Sequence, residues 1–291
     1  MKALLKRVNS LLYLLPAVTL FCIFLLNPIF QAVRQSFYTW KGIAGAPMIF
    51  VGLRNYKEII QSPQFWLAMR NSGVFLLGGF FVLMPLAFLL ATIITSSLPW
   101  TRFFKTAFFM PIMLPLTAVG LMWVYILEPN WGLLNSILSK IGGEALTRNW
   151  LGTPNLNVIT VVLVNEWTYA GFNMLIFASG LVTIPQELYE AAIIDGADKK
   201  QKLFYITLPM MKSYFKIFSV LCVTGCLKTF DLMFSMTGGG PNGSSEVPAT
   251  LLYNEAFVFK DFGHGNTIGT VILLTGFILS LLLTKVFKED Y

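Results

Sequence analysis

Asn165, Glu166, Trp167, Tyr169 and Asn173 lie close together inside an otherwise apolar stretch, and Lys228 and Asp231 lie inside another. Polar groups are costly in such runs, so they mark candidate function. The chemistry open to them is recognition of a polyhydroxy solute. Aromatic rings offer flat apolar faces to C–H groups, while amides and carboxylates offer donors and acceptors to hydroxyls. Asn165, Tyr169 and Asn173 are spaced four apart and make one helical stripe, flanked by Glu166 and Trp167. That stripe is expected to face a cavity, because carboxamides turned to hydrocarbon would go unsatisfied. Lys228 and Asp231, three apart, are equally able to neutralise one another.

Other chemistry finds little support. No nucleophile, base and orienter form a set, so no catalytic residue is assigned. The run Gly238 to Ser245 is rich in glycine but has no lysine before its serines, so it is no phosphate loop. The one histidine, His264, sits between Gly263 and Gly265 and reads as a turn residue. Cys222 and Cys226 share a helical face, yet two thiols four apart make a poor metal site. With Cys22 they read as small apolar packing groups. No metal is expected.

The elements that must position these residues are set by composition. Of 291 residues, 56% are hydrophobic and 12% charged; a soluble domain carries roughly a quarter charged residues. The apolar residues come in runs of about twenty, the length that crosses a bilayer as helix. An all-α integral membrane protein with six transmembrane helices is expected, as one transmembrane domain over 1–291. The spans are placed at about 11–33, 71–95, 106–127, 158–182, 214–236 and 267–286. Pro111 and Pro115 are expected to kink the third. At 1.5 Å per residue, Glu166 would lie roughly 12 Å below the outer end of the fourth. The first apolar run is too long for a signal-peptide core and is expected to be retained. Residues 51–65 suggest a short interfacial helix, with Trp66 at headgroup level.

Net charge is +7, but no basic and aromatic stripe lies outside the spans, which argues against nucleic acid. Lys2, Lys6, Arg7, Arg102, Lys105, Lys199, Lys200, Lys202, Lys212, Lys285 and Lys288 fall on one side of a six-span chain. The positive-inside rule makes that side cytoplasmic, with both termini inside. Arg34, Lys41, Arg54, Lys57 and Arg70 make the first outer loop a partial exception. No internal repeat is evident, which weakens a secondary-transporter reading built on inverted repeats.

Between the fourth and fifth spans, residues 183–213 read as an elbow in the cytosol. Pro185 opens a short helix whose Glu187 and Glu190 suit its positive end. Gly196 permits a sharp turn. A second short helix follows, carrying Lys199, Lys200 and Lys202 toward its C-terminal half, and Pro209 stops or redirects it. Small Ala191, Ala192 and Ala197 are expected to let the backbones approach.

Glu190, Ala191, Ala192, Asp195, Gly196, Ala197, Phe204, Ile206, Leu208 and Pro209 match, in type and spacing, the EAA loop of permease subunits of binding-protein-dependent ABC importers. Leu15-Pro16, Ser36-Phe37, Trp167 to Leu181 and Phe230 to Pro241 further resemble the carbohydrate, maltose-transporter-type, first-subunit branch. Ser213 departs from the pattern, where many relatives place proline; this leaves the start of the fifth span open. The resemblance implies a type I ABC importer permease fold in a bacterial or archaeal inner membrane, surrounded by lipid. It implies a coupling helix docked on a cytoplasmic ATPase, and a solute path among the middle and late spans. The implied partners are a second homologous permease, two ATPase subunits that bind the ATP and Mg, an extracytoplasmic binding protein and a sugar. No cofactor is implied in this chain. The competing readings are an ion-coupled secondary transporter, which has no use for the elbow, and a membrane enzyme, which lacks a catalytic set.

Overall fold

A computed structural model describes residues 13–43, 45–96 and 99–286. Lys2, Lys6, Arg7, Lys288 and the first two residues of the first expected span lie outside the described residues. The chain opens with α1 (Tyr13–Gln35), then a small antiparallel ladder of β1 (Tyr38–Thr39) and β2 (Ile49–Phe50), in which Tyr38 faces Phe50. Next come α2 (Arg54–Gln61) and the long α3 (Pro63–Ile94). After them run α4 (Thr101–Met113), α5 (Leu116–Ile126) and α6 (Leu133–Lys140). The fourth apolar stretch is α7 (Leu156–Thr183). It leads to α8 (Gln186–Ile194), α9 (Lys199–Met210), α10 (Lys212–Lys228) and α11 (Asp231–Thr237). The chain closes with α12 (Pro248–Tyr253) and α13 (Phe262–Val286).

Four of these helices are long and apolar enough to cross a membrane, and six spans result if each of two bent pairs counts as one. The bends have local causes. Between α4 and α5 the axis turns by 98° at Leu114, whose backbone is extended before Pro115; a residue preceding proline is driven from helical geometry. Pro111 sits inside α4 without ending it. Three wide turns, Cys22–Leu26, Gly79–Leu83 and Leu203–Thr207, each end two residues before a proline: Pro28, Pro85 and Pro209. Proline lacks the N–H and crowds the carbonyl four residues back, and a turn closed by i to i−5 bonds takes up that mismatch. Helix α9 therefore runs through Pro209 to Met210, and there the axis turns by 64° into α10.

Two compact units result among the described residues: one holds those up to Ser62 with Leu251–Leu273, the other those from Pro63 to Thr250 with those from Leu274 to Val286. In the first unit Asn55 is buried and its amide donates to the carbonyls of Ser36 and Tyr38 at 2.9 and 3.0 Å. Thr267 donates to the same Ser36 carbonyl at 3.1 Å. His264, expected in a turn, lies instead in the first turn of α13. Its ring nitrogens lie 2.9 Å from Glu58 and 3.0 Å from Asp261. Arg54, beside Glu58 at 2.8 Å, and then His264 hold the Glu58 carboxyl below the usual glutamate range.

The second unit has a core of Leu83, Ala87, Leu90 and Ala91 from α3 against Ala170, Met174, Phe177 and Ala178 from α7, closed by Met211 and Phe218. Small residues at the crossing let the helices approach closely. Phe177 anchors it, with its ring 5.2 Å from Phe215 and 5.5 Å from Phe218. Gly171 permits a second close crossing: a Cβ there would collide with the backbone carbonyl of Phe108 on α4.

Candidate functional site

The elbow is built by two adjoining capping devices. The N–H of Gly196 donates to the Ile193 carbonyl at 3.1 Å, and that of Ala197 to the Ala192 carbonyl at 2.8 Å. With Gly196 at φ +76, this is the paired bonding of a Schellman C-terminus, where glycine takes the left-handed position at least cost. Asp198 then caps α9. Its side chain accepts from the Gln201 N–H at 2.7 Å, while Gln201 accepts from the Asp198 N–H at 2.7 Å. The chain thus leaves one helix and enters the next over four residues.

These caps correct two expectations. Lys199, Lys200 and Lys202 lie in the first turn of α9 rather than its C-terminal half. The spacing of Asp198 and Gln201 is itself a capping-box signature and marks that start in the sequence. Ala191 faces outward, while Ala192 and Ala197 are half-buried at the turn. Inward-facing Tyr189 and Ile206 pack on the core of the second unit, and Tyr189 and Thr207 hydroxyls share a hydrogen bond of 2.9 Å. Outward, Glu190, Asp195, Phe204 and Pro209 are exposed; Leu208 is half-buried. Phe204 and Tyr205 are 61% and 80% exposed, a surface too apolar for a loop with nothing to cover it.

The polar stripe reaches a cavity of about 290 Å³. Asn165, Glu166, Tyr169 and Asn173 line it from α7, with Phe75 and Gly79 from α3 and Leu116 from α5. The opposite wall is the end of α10 and the start of α11, including Lys228, Thr229, Phe230 and Asp231. Lys228 and Asp231 do line the cavity but form no ion pair with one another among the described residues. The reason is a break. The fifth stretch, expected as one helix over 214–236, stops at Lys228 and restarts at Asp231, with Thr229 and Phe230 out of helical geometry. Irregular backbone at membrane depth is tolerated where it borders a cavity. The Thr229 hydroxyl donates to the Gly225 carbonyl at 3.0 Å, and the rings of Phe230 and Phe234 stack at 5.0 Å beyond the break.

Trp167 does not line the cavity. Its ring packs edge-on against Trp123 at 5.5 Å, because two helical steps of about 100° each from Asn165 carry it off the stripe. Asn173 is buried, with its amide donating to the Tyr169 carbonyl at 3.0 Å. Glu166 is 2% exposed. Cys222 and Cys226, read from sequence as packing groups, also line the cavity; their spacing of four from each other could have placed both on one wall, but nothing in the sequence marked the break that orients it.

Comparison with known proteins agrees with this architecture. Residues 83–288 match the family described as "Binding-protein-dependent transport system inner membrane component". The chain is similar to the probable ABC transporter permease protein YurN of Bacillus subtilis, 36% identical with 97% of each chain covered. It is 31% identical to the multiple sugar-binding transport system permease protein MsmF of Streptococcus mutans, covering 95% of this chain and 94% of that one. Among solved structures, a chain of a bacterial alginate ABC transporter, in complex with an alginate pentasaccharide-bound periplasmic protein, superposes with a TM-score of 0.84. It is 22% identical, with 100% of this chain and 99% of that chain covered.

Proposed function

The chain belongs to the family of inner membrane components of binding-protein-dependent transport systems, and on that premise we propose that it forms half of the pathway of an ATP-driven importer for a sugar or oligosaccharide. The cavity carries the reading: amides, carboxyls and aromatic rings from α7, α10 and α11 converge where backbone breaks inside an apolar stretch. The saccharide class has support in the names of relatives, including the multiple sugar-binding system of Streptococcus mutans.

In this reading the elbow is the coupling element. Glu190, Ala191, Ala192, Asp195, Gly196, Ala197, Phe204, Leu208 and Pro209 present a surface to a cytoplasmic ATPase, which covers Phe204 and Tyr205, while Ile206 anchors the elbow from its inner side. Tyr189 and Ile206 carry its movement into the core under the cavity. Two ATPase copies hydrolyse ATP with Mg. A second, homologous permease completes the path against the exposed faces of α10 and α11, and a binding protein delivers the solute from outside. Both termini lie in the cytoplasm.

Affinity purification from native membranes tests this. Expected are a second permease chain, an ATPase and ATP hydrolysis raised by the binding protein with its sugar. Recovery of an active homodimer without an ATPase would overturn it.

A further inference from the structure

The carboxyl of Glu166 lies at the cavity wall with one oxygen idle. The residue is nine-tenths and more buried, yet Oε2 has no hydrogen-bond partner among the described residues. Native chains seldom leave a buried polar atom without a partner, so such an atom calls for one supplied from elsewhere. Gly78 on α3 packs against this part of α7: a Cβ there would collide with a methyl of Val162 and stand 3.2 Å from Oε1 of Glu166. Any larger residue at 78 would press first on Val162 and then on the carboxyl.

We propose that Glu166 determines solute specificity: Oε2 accepts a hydrogen bond from a hydroxyl of a neutral polyhydroxy solute, and the wall around it disfavours acidic sugars. This rests on the reading of the cavity as the solute path. The charged and amide groups on that wall are Asn165, Glu166, Asn173, Lys228 and Asp231. Asn173 already spends a donor on the Tyr169 carbonyl at 3.0 Å. The two carboxyl groups are acceptors facing a single ammonium, Lys228. A hydroxyl brings the donor that Oε2 lacks. A uronate brings a further acceptor and one more negative charge, with one cation to meet it, while an amino sugar meets the Lys228 ammonium. Phe75, Phe230 and the Tyr169 ring supply apolar faces for the C–H side of a sugar.

The test uses the assembled complex with its binding protein in proteoliposomes containing ATP. The probes are a set of neutral mono- to trisaccharides, digalacturonate and glucosamine. The wild type should accumulate a neutral sugar in preference to both charged ones. Glu166→Gln should raise KM for that sugar by about tenfold or more with a smaller change in kcat, and Glu166→Asp should recover part of the loss. Preference for digalacturonate or glucosamine, or wild-type KM in Glu166→Gln, overturns the proposal. Failure of both variants to assemble also overturns it, since Glu166 would then be structural. If no sugar accumulates in the wild type, the pathway reading itself fails. If Tyr169→Ala impairs uptake while Glu166→Gln does not, the pathway stands and the role of Glu166 falls.

Discussion

The hydroxyls of Tyr189 and Thr207 lie 2.9 Å apart and join the two arms of the elbow across its turn. Thr207 is buried, and Tyr189 packs on the core that underlies the cavity. In the proposed reading this one bond therefore sits between the surface offered to the ATPase and the helices that line the path. Tyr189→Phe removes it while keeping the ring, at a cost of about 1 kcal/mol. Expected is weaker stimulation of ATP hydrolysis by solute-loaded binding protein, with normal amounts of complex in the membrane. Unchanged stimulation would show that the arms do not need the bond to move together.

Gly196→Pro should abolish uptake and solute-stimulated ATP hydrolysis while membrane insertion persists. Proline cannot adopt φ near +76 and removes the N–H that bonds Ile193. Normal transport by this variant would rule out the elbow as the coupling element. Gly196→Ala, strained by roughly 1 kcal/mol in the left-handed region, should give an intermediate rate.

Tyr169→Ala should lower uptake severalfold without removing the subunit from its complex, because the ring lines the cavity and is not a fully buried core group. Leu163, on the same helix and 53% exposed, serves as control, and Leu163→Val should transport normally. Cysteines introduced at Asn165 and Asn173 should react with a water-soluble thiol reagent in the resting or ATP-trapped state. Protection of both in both states would place the stripe away from the path.

Gly171→Val should prevent stable assembly. Its side chain would enter the space of the Phe108 carbonyl, and forced overpacking costs about 1–3 kcal/mol. The midpoint of thermal unfolding in detergent reads this directly. A variant as stable as wild type would mean that α4 and α7 separate freely at this crossing.

The Glu58 cluster gives a pH dependence whose sign follows from its depressed carboxyl. A lowered folded value contributes stability that is present above the ordinary glutamate value of 4.5. That stability is lost as pH falls through the lower folded value. Amide exchange in α2 should therefore stay slow on mild acidification and quicken below the usual glutamate range. In Glu58→Gln that acid step should disappear.

The sequence made some of this legible and hid the rest for physical reasons. Length and apolar content located the long helices, since those properties alone decide whether a helix can cross lipid. Pro115 and Gly196 announced a bend and a turn because their backbone limits are intrinsic. The interruption at Thr229 and Phe230 carried no such mark, since neither residue is proline or glycine. Trp167 looked like a pathway residue because its type suits one, but its orientation follows from its contact with Trp123, a tertiary fact. The lysines of α9 stand at its start because the Asp198–Gln201 cap fixes where that helix begins.

The energy source of transport is the most direct test. The purified complex, containing this chain and its co-purifying subunits, is placed in proteoliposomes with the solute-loaded binding protein outside. Internal ATP should drive solute accumulation with no ion gradient, and a non-hydrolysable analogue should not. Accumulation driven by a proton or sodium gradient in the absence of ATP would contradict the account.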